Sequence, residues 1–105
     1  MSEAEEAKRD GAKLQPNSGR GVHHKGDAIL GPFLIDYKEY VNSFGVSTQV
    51  WAKINTDAVN ARMQPALKLV LGPNDGHKAR MWVISDPMFH EMLDAWEYQQ
   101  SDWRE

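Results

Sequence analysis

The chain contains no cysteine. That excludes disulfides and thiolate-bound metals, and it fits a reducing, cytoplasmic setting. No apolar run approaches the ~20 residues that a membrane-crossing helix needs. The opening MSEAEEAKRDGAK lacks the apolar centre of a secretory leader. There is no excess of positive charge either. The net charge is -3, which on its face argues against a nucleic-acid binder. No internal repeat, low-complexity tract or second-domain boundary is visible.

What is present is enough for one domain. The chain has 105 residues, 41% of them apolar, with four Trp, three Tyr and three Phe to build a modest core. The charge is polarised along the chain. Lys8, Arg9, Lys13, Arg20 and Lys25 lie early, with Asp10 as the acid among them. From Asp86 onward, Glu91, Asp94, Glu97, Asp102 and Glu105 face Arg104 alone. From charge alone, an ordinary solvated surface is the plainest reading.

SEAEEAKRDG predicts a short helix with Ser2 as N-cap, Glu5 at the capping-box position and Gly11 as the stop. Ala4, Ala7 and Gly11 share one face, Glu3 flanks it, and Glu6 is expected to point away. A short strand follows, then a loop marked by Pro16, Asn17, Ser18, Gly19 and Gly21. DAIL and FLIDYK read as two strands around Gly31-Pro32. Ser47 or Thr48 caps a helix whose apolar stripe is Val50, Trp51, Ile54 and Ala58. Pro65 opens ALKLVLG, a run suited to a strand buried on both faces. After the PNDG turn, ARMWVIS is another strand. Ser85 or Asp86 caps a last helix, in which Met88, Phe89, Met92, Leu93 and Trp96 are expected to be core. QQSDWRE is expected to fray. The order is that of an α/β fold with a small mixed sheet flanked by helices.

The chemistry centres on HHKGDAILGPFLIDYKEY. With Gly31 and Pro32 as the central turn residues, Leu30 pairs with Phe33, Ile29 with Leu34, Ala28 with Ile35, and Asp27 with Asp36. Opposed residues in an antiparallel pair have Cβ atoms about 4.5–5.5 Å apart. Two carboxylates at that range repel unless a cation lies between them. Mg²⁺ is commonly held by one or two carboxylates while keeping waters and phosphate oxygens. Lys38 projects from the same face as Asp36. There it can orient a water or neutralise phosphate charge in a transition state. The plainer alternative is that Asp27 caps a turn and Asp36–Lys38 is a surface ion pair.

At these residues the chain resembles the PD-(D/E)xK nuclease superfamily, with Gly26-Asp27 followed by Asp36-Tyr37-Lys38. Gly26 stands where that superfamily usually has proline, and Asp36 where it more often has Glu. More narrowly, the chain is similar to small phage nucleases related to Holliday-junction resolvases. The matching motifs are Ser2-Glu3 with Ala7-Lys8, Pro16-Asn17-Ser18-Gly19, Lys25-Gly26-Asp27, then Ser47 with Trp51, Lys53 and Ile54, and Pro65 to Leu69. The resemblance implies a restriction-endonuclease-like αβββαβ core and a Mg²⁺-dependent DNA endonuclease, with Mn²⁺ as a possible substitute. It implies Asp27, Asp36 and Glu3 as metal ligands and Lys38 as a catalytic group. The setting it implies is the cytoplasm of a bacterial or phage-infected cell.

Around that centre, Ser18 and Arg20 can meet phosphate through a glycine-rich backbone, although the loop can equally be unstructured. His23 and His24 suit phosphate contact better than zinc, because no acid or histidine stands at ligand spacing along one element with them, and Lys25 is a further candidate for phosphate contact. Gln49 and Lys53 share a polar helix face that can flank the site or simply be solvated. His77 and His90 carry no signal. A homodimer is expected, since cutting two strands calls for two sites and two-fold symmetry supplies them. The rivals are a nuclease for nicks, single strands or duplex ends, and a non-catalytic DNA-binding accessory module.

Overall fold

The computed structural model describes residues 3–15 and 28–103. They form α1 (Glu3–Asp10), β1 (Lys13–Leu14), β2 (Ala28–Leu30), β3 (Phe33–Tyr40), α2 (Thr48–Asn60), β4 (Gln64–Leu71), β5 (Ala79–Ile84) and α3 (Asp86–Trp103). The five strands make one sheet in sequence order. Neighbours run antiparallel except β3 and β4, which are parallel and joined through α2. The first six elements therefore run α-β-β-β-α-β, and the fold is α/β with a mixed sheet.

The β2–β3 hairpin has the expected register: Leu30 opposes Phe33, Ile29 opposes Leu34 and Ala28 opposes Ile35. Gly31 takes φ +57°. Proline at the next position holds φ near -65°, so a turn needing two positive φ values is closed. A turn with glycine first, of the II′ kind, is the one that remains. β4 starts at Gln64 with Pro65 inside it. The β4–β5 ladder begins only at Ala66 opposite Ile84, so the missing proline N–H lies at the strand's opening, where it is tolerated.

Alternation along the strands splits the core into two layers. Leu34, Leu67 and Leu69 pack with Ile54 and Ala58 of α2, joined by Val50, Trp51 and Phe44. Ile35, Tyr37, Ala28 and Ala66 pack with Ala7 of α1. Ser47 caps α2, its side chain accepting from Val50 N at 3.1 Å. Ser85 does the same for α3 through Met88 N at 3.2 Å.

Three expectations fail. The buried face of α1 carries Glu6 and Ala7, while Ala4 is exposed. The apolar stripe of α3 is not core, since Phe89, Met92 and Trp96 all stand in solvent. Helical spacing identifies an apolar stripe but does not say whether this domain supplies a surface to cover it. The segment from Gln99, expected to be a tail, is helical as far as Trp103. No helix among the described residues is long and apolar enough to cross a membrane.

Candidate active site

β3 is paired with β4 along its whole length and with β2 at Phe33–Ile35, so its side chains have fixed directions. Asp36 and Lys38 project from the α2 side, in line with Leu34. Lys38 Nζ lies 3.4 Å from Asp36 Oδ2, with the two side chains 28% and 16% exposed. The pair thus sits at the border of the apolar layer, within reach of water. An aromatic wall bounds it. Lys38 Nζ stands 5.8 Å from the centre of the Phe44 ring, and Phe44 stacks on Tyr40 with centroids 5.0 Å apart. Such contacts favour a cation held over the ring face and restrict the long lysine stem.

Tyr37, the middle residue of Asp-Tyr-Lys, points to the opposite side. Its hydroxyl donates to Asp10 Oδ2 at 3.0 Å. Beside it, Lys68 of β4 is buried and lies 2.6 Å from Asp10 Oδ1 and 2.8 Å from Glu6 Oε1. Arg80 of β5 grips Glu6 with two hydrogen bonds, Nε to Oε1 at 3.2 Å and Nη2 to Oε2 at 3.0 Å. Burial pushes the Glu6 carboxyl up, but the bonds and charges of Arg80 and Lys68 outweigh it and hold the group below its ordinary 4.5. Glu6 in turn raises the Arg80 guanidinium, chiefly through the hydrogen bond between them. This network fastens α1 to the far side of β3, β4 and β5, and so fixes the strand that carries Asp36 and Lys38.

The expected site residues are placed unevenly. Asp36 and Lys38 are brought together. Asp27, Ser18, Arg20, His23, His24 and Lys25 lie outside the described residues. Glu3 is exposed on the first turn of α1, and α1 packs on the face of the sheet opposite Asp36. Glu6 is committed to Lys68 and Arg80. Gln49 is exposed, and Lys53 leans on buried Asp57 at 3.3 Å along the same helix. Among the described residues no three His, Asp or Glu side chains form a group that could hold a metal. Asp36 is a hard oxygen donor of the kind Mg²⁺ takes.

Comparison with family models, with curated proteins and with solved structures finds no match to this chain. The site therefore rests on its own geometry.

Sequence reasoning missed the buried quartet Glu6, Asp10, Lys68 and Arg80. One signal for it was present. Lys68 is the lone charge in an apolar run assigned to a strand buried on both faces, and a charge in such a place demands a partner.

Proposed function

We propose that this chain is a Mg²⁺-dependent DNA endonuclease of the PD-(D/E)xK kind, with resolvase-like preference for branched DNA. One observation carries the reading: the Asp36–Lys38 pair stands partly exposed on one face of a strand anchored from the other. Two further features support it. The element order α-β-β-β-α-β is the one the motif resemblance implies. The hairpin ladder, followed to Ala28 and Ile35, is the register on which the expected role of Asp27 depends.

Asp36 would hold the metal together with Asp27, while Glu3, on the helix that packs against the other face of the sheet, is not placed to join them; Mn²⁺ is a possible substitute. The bound ion supplies Lewis-acid polarisation of the phosphate and a more acidic water. The chain's own contribution is placement. Asp36 and the Phe44 ring keep the Lys38 ammonium at the strand surface, where it can neutralise negative charge growing on a phosphodiester oxygen. Because β3 is anchored from the other face by Tyr37, that ammonium is positioned before substrate arrives.

The test is cleavage of a four-way junction, a linear duplex and a single strand, each with Mg²⁺ and with chelator. The expected result is Mg²⁺-dependent cutting, strongest on the junction, abolished in Asp36→Asn while DNA binding persists. Strongest cutting on another DNA form would keep the nuclease and reassign its substrate. No cleavage of any form, with DNA binding equal or tighter in Asp36→Asn, would make the chain a non-catalytic DNA-binding module.

A further inference from the structure

The last helix carries a feature that the nuclease reading does not use. On a helical projection of α3, Phe89, Met92, Leu93 and Trp96 fall on one side. Glu91 and Asp94 lie well away from the stripe, Asp86 and Glu97 border it beside half-buried Leu93, and the apolar side is largely bare: Phe89 is 52% exposed, Met92 48% and Trp96 59%. Among the described elements, α3 makes only sparse contact with the others. Where it does approach the sheet, it leaves an apolar groove of about 360 Å³ between Met92 and the side chains of Leu30, Phe33, Ala66, Trp82 and Ile84. Trp82 beside it is 44% exposed, and Leu14, whose partner Ala28 belongs to the same apolar layer, is also exposed.

We propose that a second copy of this chain covers this surface, with the two α3 helices packed antiparallel across a two-fold axis and each stripe also closing the other protomer's groove. Three properties of the surface select that occupant. The first is area. A large aromatic side chain offers ~150–250 Å², so stripe and groove together leave on the order of 600 Å² of apolar surface. That is at the top of the range for the largest patch on a monomer and, with its polar border, near the ~800 Å² that each partner of a standard interface buries. The second is self-complementarity. Spacing of three and four residues from Phe89 to Trp96 is the seam pattern of a helix that packs on a helix, and an antiparallel pair lets one stripe meet its own copy as a closed, isologous contact. The third is charge. The stripe and groove themselves contain no charged side chain, and Asp86 and Glu97 stand at the border, where they can keep contact with water. The outward flank of α3 is acidic, which disfavours nucleic acid or an anionic membrane as the occupant.

The pairing rests on α3 and the groove and not on the Asp36–Lys38 site, so it stands or falls separately from the nuclease reading. It is tested by light scattering of the eluting protein over the micromolar concentration range. The expected result is twice the chain mass of 11.9 kDa for the wild-type protein. Trp96→Glu and Phe89→Glu, at two places along the stripe, should each halve that mass with unchanged circular dichroism. Asp94→Lys on the outer face should leave it doubled. Hydroxyl-radical footprinting of the wild-type protein gives a second readout that needs no variant, with Phe89, Met92 and Trp96 becoming protected as the mass doubles. A single-chain mass throughout overturns the proposal. So does a doubled mass that survives both stripe variants, or labelling of those residues that does not change with concentration.

Discussion

Lys38 and Lys68 sit on adjacent strands, one register step apart, because Tyr37 opposes Lys68 and Lys38 opposes Leu69. They point to opposite faces of the same sheet and meet carboxylates on both. On the α1 side, Lys68 is 3% exposed and touches two carboxylates at 2.6 and 2.8 Å. On the α2 side, Lys38 keeps one carboxylate at 3.4 Å and stays open to water. The same pair of residue types is structural in one place and available in the other. Burial and the number of partners decide which. A charge with every bonding position taken is bound to the fold. A charge with one loose partner can exchange it for a phosphate or a cation at little expense to the fold.

The sharpest way to break this contrast is Lys68→Met. It fills the space but leaves Asp10 without its ammonium and Glu6 with Arg80 alone. Removing one partner of a buried ion pair typically costs about 3–5 kcal/mol, a large part of the ~5–15 kcal/mol that holds a domain together. A shift of the urea midpoint to much lower denaturant is expected, accompanied by loss of α1 protection in hydrogen exchange. An unchanged midpoint would mean that the network is not what fastens α1.

A smaller effect should appear with acid. Burial raises the Glu6 carboxyl, and Arg80 and Lys68 more than reverse this, so its folded value lies below 4.5. A depressed carboxyl contributes stability that is fully present above the unfolded value near 4.5 and is lost as pH falls through the folded value. Urea stability measured downward from pH 5 should therefore fall less steeply in Glu6→Gln than in the wild-type protein. Equal slopes would show that Glu6 does not carry this part of the acid response.

The two faces also differ in how much of them the sequence discloses. The hairpin register was legible once Gly31-Pro32 was taken as the two central turn residues, although Gly-Pro is not the favoured hairpin pair, and the α2 layer because Val50, Trp51, Ile54 and Ala58 repeat at helical spacing. Asp36 and Lys38 then follow from strand alternation alone, which is a local rule. The α1 face was not legible. Its Glu6–Lys68 and Glu6–Arg80 pairs join residues far apart in sequence, and no local period encodes such contacts. For the same reason α3 was taken for core. Periodicity gives the stripe, but not whether any surface meets it.

Lys38→Met completes the contrast, since it is the same substitution placed one register step away on the other face. The side chain it removes is 28% exposed and the carboxylate it leaves behind is 16% exposed. Water can therefore take over the solvation of Asp36, whereas Glu6 is only 2% exposed. Partly exposed ion pairs contribute roughly 0–1 kcal/mol, and the methionine stem can retain contact with the Phe44 ring through its sulfur. The urea midpoint is expected to stay close to that of the wild-type protein, while Mg²⁺-dependent cleavage falls to background. A loss of stability comparable to that of Lys68→Met would remove the distinction between the faces, and Lys38 would then be a second structural lysine rather than a group held ready for substrate.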